Sequence, residues 1–258
     1  MQIDLSLNRV YWEYLQNKSY LRPEFDYQCS AFLPSMGCRV IAPEYRRRGE
    51  SFKQDLDSLV AMFAKKYSDY KFVLALSGGI DSEVTAESFY SQGIPFRAVS
   101  QRLFEGVNDY DIGYAAKYCK QRFIDYSIVN LSVDKMMSHT IPDAVEHGQF
   151  THSYSQVALT NLYEGIKDNE IIIFSGHNPD FHRKIGIGWW EDSPNIVKYA
   201  IAKKHKFFTF TSLEPIFCHY AAAFDDTQPG DKNNDFIYEA YPQLERGIKM
   251  TGWEKSAN

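Results

Sequence analysis

The sequence predicts an α/β protein: a doubly wound parallel five-stranded sheet with helices on both faces, plus a small N-terminal appendage. Three observations carry that reading. Short apolar runs alternate with amphipathic helical stretches from residue 51 to residue 175, and the pattern weakens after Gly176. The runs are continuous, as in strands covered on both faces, and do not alternate apolar with polar residues. Finally, 258 residues with 44% hydrophobic and 24% charged side chains suffice for a full core and exclude disorder as the main state.

The first fifty residues read as an appendage, 1–50. Tyr11–Leu15 suggests a helical turn, and Ser30–Leu33 and Arg39–Ile41 suggest short strands around the turn Pro34–Gly37. The segment closes on Arg46, Arg47, Arg48 and Gly49. The main domain is expected over 51–224. Leu56, Leu59, Val60, Phe63 and Ala64 recur at helical spacing, so Ser51–Tyr67 is a helix with Ser51 as its N-cap.

Lys71–Leu76 is then the first strand of the sheet, and Asp81–Gln92 a helix stopped by Gly93. Pro95–Ser100 is the second strand. Asp109–Arg122 is a helix with Ile112, Ala115, Ala116 and Cys119 on one face. The third strand lies within 123–131, best at Ser127–Leu131. A helix around Ser155–Ile166 leads to the fourth strand, Glu170–Ser175. Beyond it, Asn195–Lys204 reads as a helix, Phe207–Thr211 as a strand and Pro215–Phe224 as a helix, before a polar tail, 225–258, packed on the domain. Repeated βα order implies parallel strands.

A net charge of −5 argues against wholesale electrostatic capture of nucleic acid, though not against a local basic groove. Cys29, Cys38, Cys119 and Cys218 include no C-x-x-C pair and read as free thiols of a reducing compartment. The opening MQIDLSLNRVYWEYL lacks a continuous apolar h-region, and no run approaches 18 apolar residues. The expectation is a cytoplasmic protein with no membrane partner.

The sharpest feature is Ser77-Gly78-Gly79-Ile80-Asp81-Ser82, between the first strand and its helix. Paired glycines let backbone approach an oxyanion closely. Amides at a helix start lack intrahelical partners, and the helix dipole adds positive potential there. Ser77 and Ser82 add hydroxyls. Asp81 would repel a phosphate unless a divalent cation sits between them. The loop is neither a Walker A motif, since no Lys follows its glycines, nor a G-x-G-x-x-G fingerprint. The alternative is a tight βα turn with a helix cap.

SGGIDS resembles the PP-loop of the ATP pyrophosphatases, the adenine nucleotide alpha-hydrolase-like superfamily that includes asparagine, NAD, GMP and lysidine synthetases and 7-cyano-7-deazaguanine synthase. The resemblance extends from about Lys71 to Phe224 and is strongest at the loop. A second stretch, Phe174-Ser175-Gly176-His177-Asn178-Pro179-Asp180, is similar to the G-H-N/H-x-D-D segment that many members carry after their fourth strand. In that family strand four lies beside strand one, where strand order reverses and ligands bind.

The resemblance implies ATP as substrate with Mg2+. Nucleotide binding would fall to Ala75, Leu76, Ser77, Gly78, Gly79, Asp81, Ser82, Val99, Gly176, His177 and Asn178, with Asp81 and Asp180 holding the metal. The implied catalytic set is Ser77, Asp81, Ser82, Arg183 and Lys184, the last two neutralising charge at the α-phosphate or on leaving pyrophosphate; they read equally as a solvated basic patch. Phe181 stands where the family has its second acid, so the metal shell or the following loop must differ. The late-helix lysine of many members has no obvious counterpart; Lys203, Lys204 or Lys206 could substitute.

Other constellations are weaker. Glu146, His147 and His152 form no H-E-x-x-H motif and read as surface residues. Gly186–Trp190 suggests either a lid or a packed aromatic pair. Cys218 has no partner cysteine at a suitable spacing. The expected activity is adenylation of a carboxylate or carbonyl oxygen of a small molecule, for attack by nitrogen. A tRNA- or nucleobase-modifying enzyme and a non-catalytic ATP- or AMP-binding module are the alternatives. Zinc cysteines are missing for the deazaguanine reading. Residue 2 is Gln, not a nucleophilic Cys, so any ammonia must be free or come from a partner, and an ammonia- or sulfur-donating partner and a homodimer are both possible.

Overall fold

The computed structural model describes residues 39–42, 52–146, 154–174, 181–182, 187–191, 207–209 and 242–243. Its elements run β1 (Arg39–Ala42), α1 (Phe52–Lys66), β2 (Lys71–Ala75), α2 (Ile80–Ser91), β3 (Phe96–Leu103), α3 (Asp109–Gln121), β4 (Tyr126–Leu131), α4 (Val133–Lys135), α5 (Ile141–Glu146), α6 (Tyr154–Leu159), β5 (Glu170–Phe174), β6 (Phe181–His182), β7 (Ile187–Glu191) and β8 (Phe207–Thr209). The chain divides into two compact units. One comprises Met1–Tyr67, Gly176–Asp192 and Phe210–Arg246; the other comprises Ser68–Ser175, Ser193–Thr209 and Gly247–Asn258.

In the first unit β7 pairs antiparallel with both β1 and β6, in the order β1-β7-β6. The expected strand at Arg39–Ile41 is β1. Of the Gly186–Trp190 stretch, Ile187–Trp190 belong to strand β7 in their backbone, with Trp189 opposite Ile41 and Trp190 opposite Val40. Helix α1 buries Phe52, Leu56, Leu59, Val60 and Phe63, the face that its periodicity marks out. Phe63 packs its ring on Tyr67 with centroids 4.8 Å apart.

The second unit holds a five-stranded parallel sheet in the order β4-β3-β2-β5-β8. Helices cover both faces. On one, Val73, Val99, Leu131, Ile172 and Phe174 pack with Met136, Ala144, Val157, Ala158, Leu162 and Tyr163 from the connection between β4 and β5. On the other, Phe89 of α2 meets Phe72 and Phe96 edge-on, with centroids 5.6 and 5.9 Å apart. Every residue of β5 is buried, as its unbroken apolar run requires.

Two ionic clusters fasten this unit. Arg97 Nε and Nη2 donate to Glu170 Oε1 (2.9 Å) and Oε2 (2.8 Å), at the amino-terminal ends of β3 and β5. The Lys167 amide also donates to Glu170 Oε2 (3.0 Å). On the helical side, buried Glu87 of α2 accepts from Tyr118 Oη (3.0 Å) and Arg122 Nε (2.9 Å). The Arg122 guanidinium lies over the Tyr118 ring, 4.1 Å from its centroid. Cys119 nearby is a buried free thiol, and its desolvation pushes its pKa up to about 12.

Three boundaries differ from the sequence expectation. β3 continues to Leu103, because pairing with β4 persists through Arg102 opposite Asn130 and Leu103 opposite Leu131. Residues 133–146, which lack strong periodicity, are helical, with a π turn at Met136–Thr140 between α4 and α5. The helix expected to reach Ile166 is α-helical only to Leu159 and tightens to 3₁₀ over Thr160–Gly165. Among the described residues, no helix is long and apolar enough to cross a membrane. The helices expected at Tyr11–Leu15, Asn195–Lys204 and Pro215–Phe224 and the strand at Ser30–Leu33 lie outside the described residues.

Candidate functional site

β2 runs between β3 and β5 and delivers the chain to a loop at its carboxyl end. Sheet order reverses at this point: β3 and β4 extend to one side of β2, and β5 and β8 to the other. A crevice at such a switch point is where open α/β sheets bind ligands. Two bonds fix the exit of the strand. The Leu76 amide donates to Val99 O (2.8 Å), and the buried Ser100 Oγ donates to Leu76 O (2.6 Å).

The serines then shape the loop. Ser82 Oγ donates to Gly79 O (2.9 Å) and accepts from the Ser77 amide (3.2 Å). The two hydroxyls are 3.1 Å apart, and with the Ser82 proton committed, Ser77 is the donor between them. Ser77 Oγ in turn accepts from the Gly79 amide (3.1 Å). Both hydroxyls are engaged inside the loop, although Ser77 is exposed and Ser82 buried.

Gly78 has φ +85°, a left-handed conformation that costs a residue with a Cβ roughly 1–2 kcal/mol. Space forbids a side chain as well. A Cβ at Gly78 would overlap the Asp111 carbonyl, 2.6 Å from its carbon. The first turn of α3 therefore forms a wall of the loop. Gly79 is the N-cap of α2 in extended conformation, and no side chain caps this helix. Its first turn carries Asp81 and Glu83 and no basic residue. Within this turn, positive potential comes from backbone amides and the helix dipole.

The turn that leads from β3 into α3 is strained. Phe104, Glu105 and Gly106 have φ of 41°, 55° and 96°. Three successive left-handed residues need support. Asn108 supplies part of it: its Oδ1 accepts from the Leu103 amide (2.8 Å) and its Nδ2 donates to Gln101 O (2.8 Å). Arg102 Nε donates to Asp109 Oδ1 (2.6 Å), and this pair lies against the Cα of Gly106. The guanidinium holds the Asp109 carboxyl below its usual pKa.

Of the residues singled out by sequence, Ser77, Gly78, Gly79, Asp81 and Ser82 come together in this loop and the first turn of α2. Ala75 and Val99 are register partners on β2 and β3; Ala75 is half-buried, while Leu76 and Val99 are buried. β5 ends at Phe174, beside β2. Gly176, His177, Asn178, Asp180, Arg183, Lys184 and Lys203–Lys206 lie outside the described residues. Among the described residues, no group of three or more His, Cys, Asp and Glu forms a metal cage.

Sequence reasoning passed over Asp111, Ser100 and Asn108. Asp111 acts through its backbone, which no side-chain pattern announces. Ser100 reads as the last residue of a strand, and nothing local marks a role for it. Asn108 directly precedes a helix and is read most simply as its cap.

No family model matches the chain, and no curated protein matches it. Solved structures do. A glutamine-dependent NAD+ synthetase from Acinetobacter baumannii, in complex with ADP, is similar over 53% of this chain at 17% identity and a TM-score of 0.39. This chain spans only 28% of that enzyme's length. An NMN synthetase from Francisella tularensis is similar over 78% of this chain and 96% of its own, at 15% identity and a TM-score of 0.40. An NAD+ synthetase from Burkholderia pseudomallei is similar over 93% and 98%, at 13% identity and a TM-score of 0.33.

Proposed function

We propose that this chain is an adenylating ATP pyrophosphatase of the amide-ligase type. The observation that carries the reading is the N-terminus of α2. It is left without a side-chain cap, it is reached through a left-handed glycine, and it opens at the switch point between β2 and β5. Ser77 and Ser82, which could have capped the helix, instead bond to each other and to the loop backbone. An anion is the partner that such amides accept. The resemblance of Ser77–Ser82 to a PP-loop makes that anion the terminal diphosphate of ATP.

In the proposed reaction a carboxylate or carbonyl oxygen of a small acceptor attacks the α-phosphorus. The bond from that phosphorus to the bridging oxygen breaks, and pyrophosphate leaves with the electron pair. A nitrogen nucleophile then attacks the activated carbon, and AMP departs. The loop's task is to hold the leaving diphosphate in line. Arg183 and Lys184 are assigned the developing charge at the α-phosphate. Nitrogen enters as free ammonia or from a donating partner.

Magnesium carried with the nucleotide takes few ligands from a protein, since phosphates and water supply the rest. Asp81, half-buried in the first turn of α2, suits that use, with Asp180 as the proposed second carboxylate. The cation would neutralise charge that Asp81 otherwise opposes. The test is chromatography of nucleotides after incubation with MgATP and a pool of small metabolites. AMP and pyrophosphate in equal amount are expected, and Asp81→Ala abolishes them while keeping the wild-type circular dichroism spectrum. ADP as the sole product defeats the proposal. ATP binding without turnover under any pool would leave a binding module in its place.

A further inference from the structure

We propose that the chain self-associates through the β4 edge of its five-stranded sheet, which no other described strand pairs with, β4 of one copy pairing antiparallel with β4 of a second copy about a two-fold axis. This inference is independent of the chemistry proposed above. Among the described strands β4 is hydrogen-bonded to β3 alone. Successive strand residues point to opposite faces, yet Ser127 and Ile128 are both exposed, and so is Asn130. That pattern belongs to an open edge.

Monomeric proteins guard such edges with lysine, proline or a bulge. Tyr126–Leu131 contains no charged residue and no proline. Its pairing with β3 is unbroken from Ala98 opposite Tyr126 to Leu103 opposite Leu131, so no bulge turns the edge away. Apolar side chains continue the edge at both ends. Phe123 is 96% exposed, Ile128 44%, Val133 47% and Met137 64%.

The choice of a second copy as occupant follows from charge and symmetry. An isologous contact sets each residue against a symmetry mate, so like charges on the strand would oppose one another. Here there are none. A two-fold through Ile128 places Ile128 against its own counterpart, Ser127 opposite Val129 and Tyr126 opposite Asn130. The same register sets Asp125 opposite Leu131, away from any carboxylate. It brings the Phe123 end of one copy to the Val133 end of the other, joining apolar groups that each copy leaves in water. The ten-stranded sheet that results has its two switch-point crevices on opposite rims, so neither is covered.

The experiment is sedimentation of the whole chain across roughly 1 to 100 µM. The expected result is a mass that rises twofold with concentration, and β4 amides protected from hydrogen exchange in the dimer. Ile128→Lys sets two ammonium groups face to face and returns the protein to monomer with the wild-type circular dichroism spectrum. Should that variant fail to fold, Phe123→Asp gives the same reading from outside the strand. A wild-type monomer throughout overturns the proposal and leaves the edge to a strand from another protein. A dimer that persists in both variants overturns it too.

Discussion

The carbonyl of Asp111, in the first turn of α3, lies against the Cα of Gly78, in the loop that follows β2. Two elements separated in the chain by α2 and β3 thus meet at the one residue of this loop that is both left-handed and buried. Gly78→Ala adds left-handed strain to a steric overlap and costs about 2–4 kcal/mol. Gly79 is extended, and a Cβ there would meet only the Ser77 hydroxyl, at 3.2 Å. Gly79→Ala is therefore expected to stay within about 1 kcal/mol of wild type. Urea unfolding of both variants checks the contrast; equal losses would refute the wedge.

Ser82 makes three contacts within the loop while nearly fully buried. Ser82→Ala removes the acceptor for the Ser77 amide and the donor to Gly79 O. The expected loss is about 1–2 kcal/mol. Loosening also reaches nucleotide affinity, because the α2 amides are aimed by this loop. Ser82→Thr keeps the hydroxyl and is expected to bind ATP more tightly than Ser82→Ala in calorimetric titration.

Arg122 pairs with Glu87 and Lys53 pairs with Asp57, but in unlike surroundings. Glu87 is buried, and Arg122→Ala strips the charged Arg122 donor from its carboxylate while the Tyr118 bond stays. Removing one partner of a buried pair costs about 3–5 kcal/mol. The Lys53 pair sits on a solvated helix face one turn apart, where such pairs contribute roughly 0.3–0.5 kcal/mol. Thermal melts of Arg122→Ala and Lys53→Ala should separate by many degrees.

Arg97 holds the Glu170 carboxyl below its ordinary pKa, chiefly through the paired hydrogen bonds. A depressed folded value means the unfolded state takes up the proton first as pH falls. The stabilisation is complete above the unfolded carboxylate value, about 4.3, and is lost as pH drops through the lower folded one. Glu170→Gln should thus be least stable relative to wild type at neutral pH, with the gap closing in acid. Thermal midpoints from pH 7 down to about 3 test this; a gap that widens in acid would reverse the sign.

Much of the second unit was legible in the chain itself. Continuous runs such as Glu170–Ser175 can be covered only from both sides, so they announce central parallel strands. Leu56, Leu59, Val60 and Phe63 recur with the helical period, so they announce α1. The doublet Gly78-Gly79 before a helix marks a loop where backbone must come close to something. These signals are local: each concerns what a few neighbouring residues can do with water and with their own dihedral angles.

What tertiary structure alone decided is of another kind. Nothing near Asp111 says that its carbonyl will press on Gly78, since a backbone oxygen has the same chemistry at every position. The Glu87 and Arg122 charges look solvated until α2 is enclosed on all sides. The edge at β4 exists only because β3, and no other described strand, lies beside it. Such facts depend on which segments are brought together across long stretches of chain, and the free energy of that assembly is a sum over many weak contacts that no single stretch of sequence encodes.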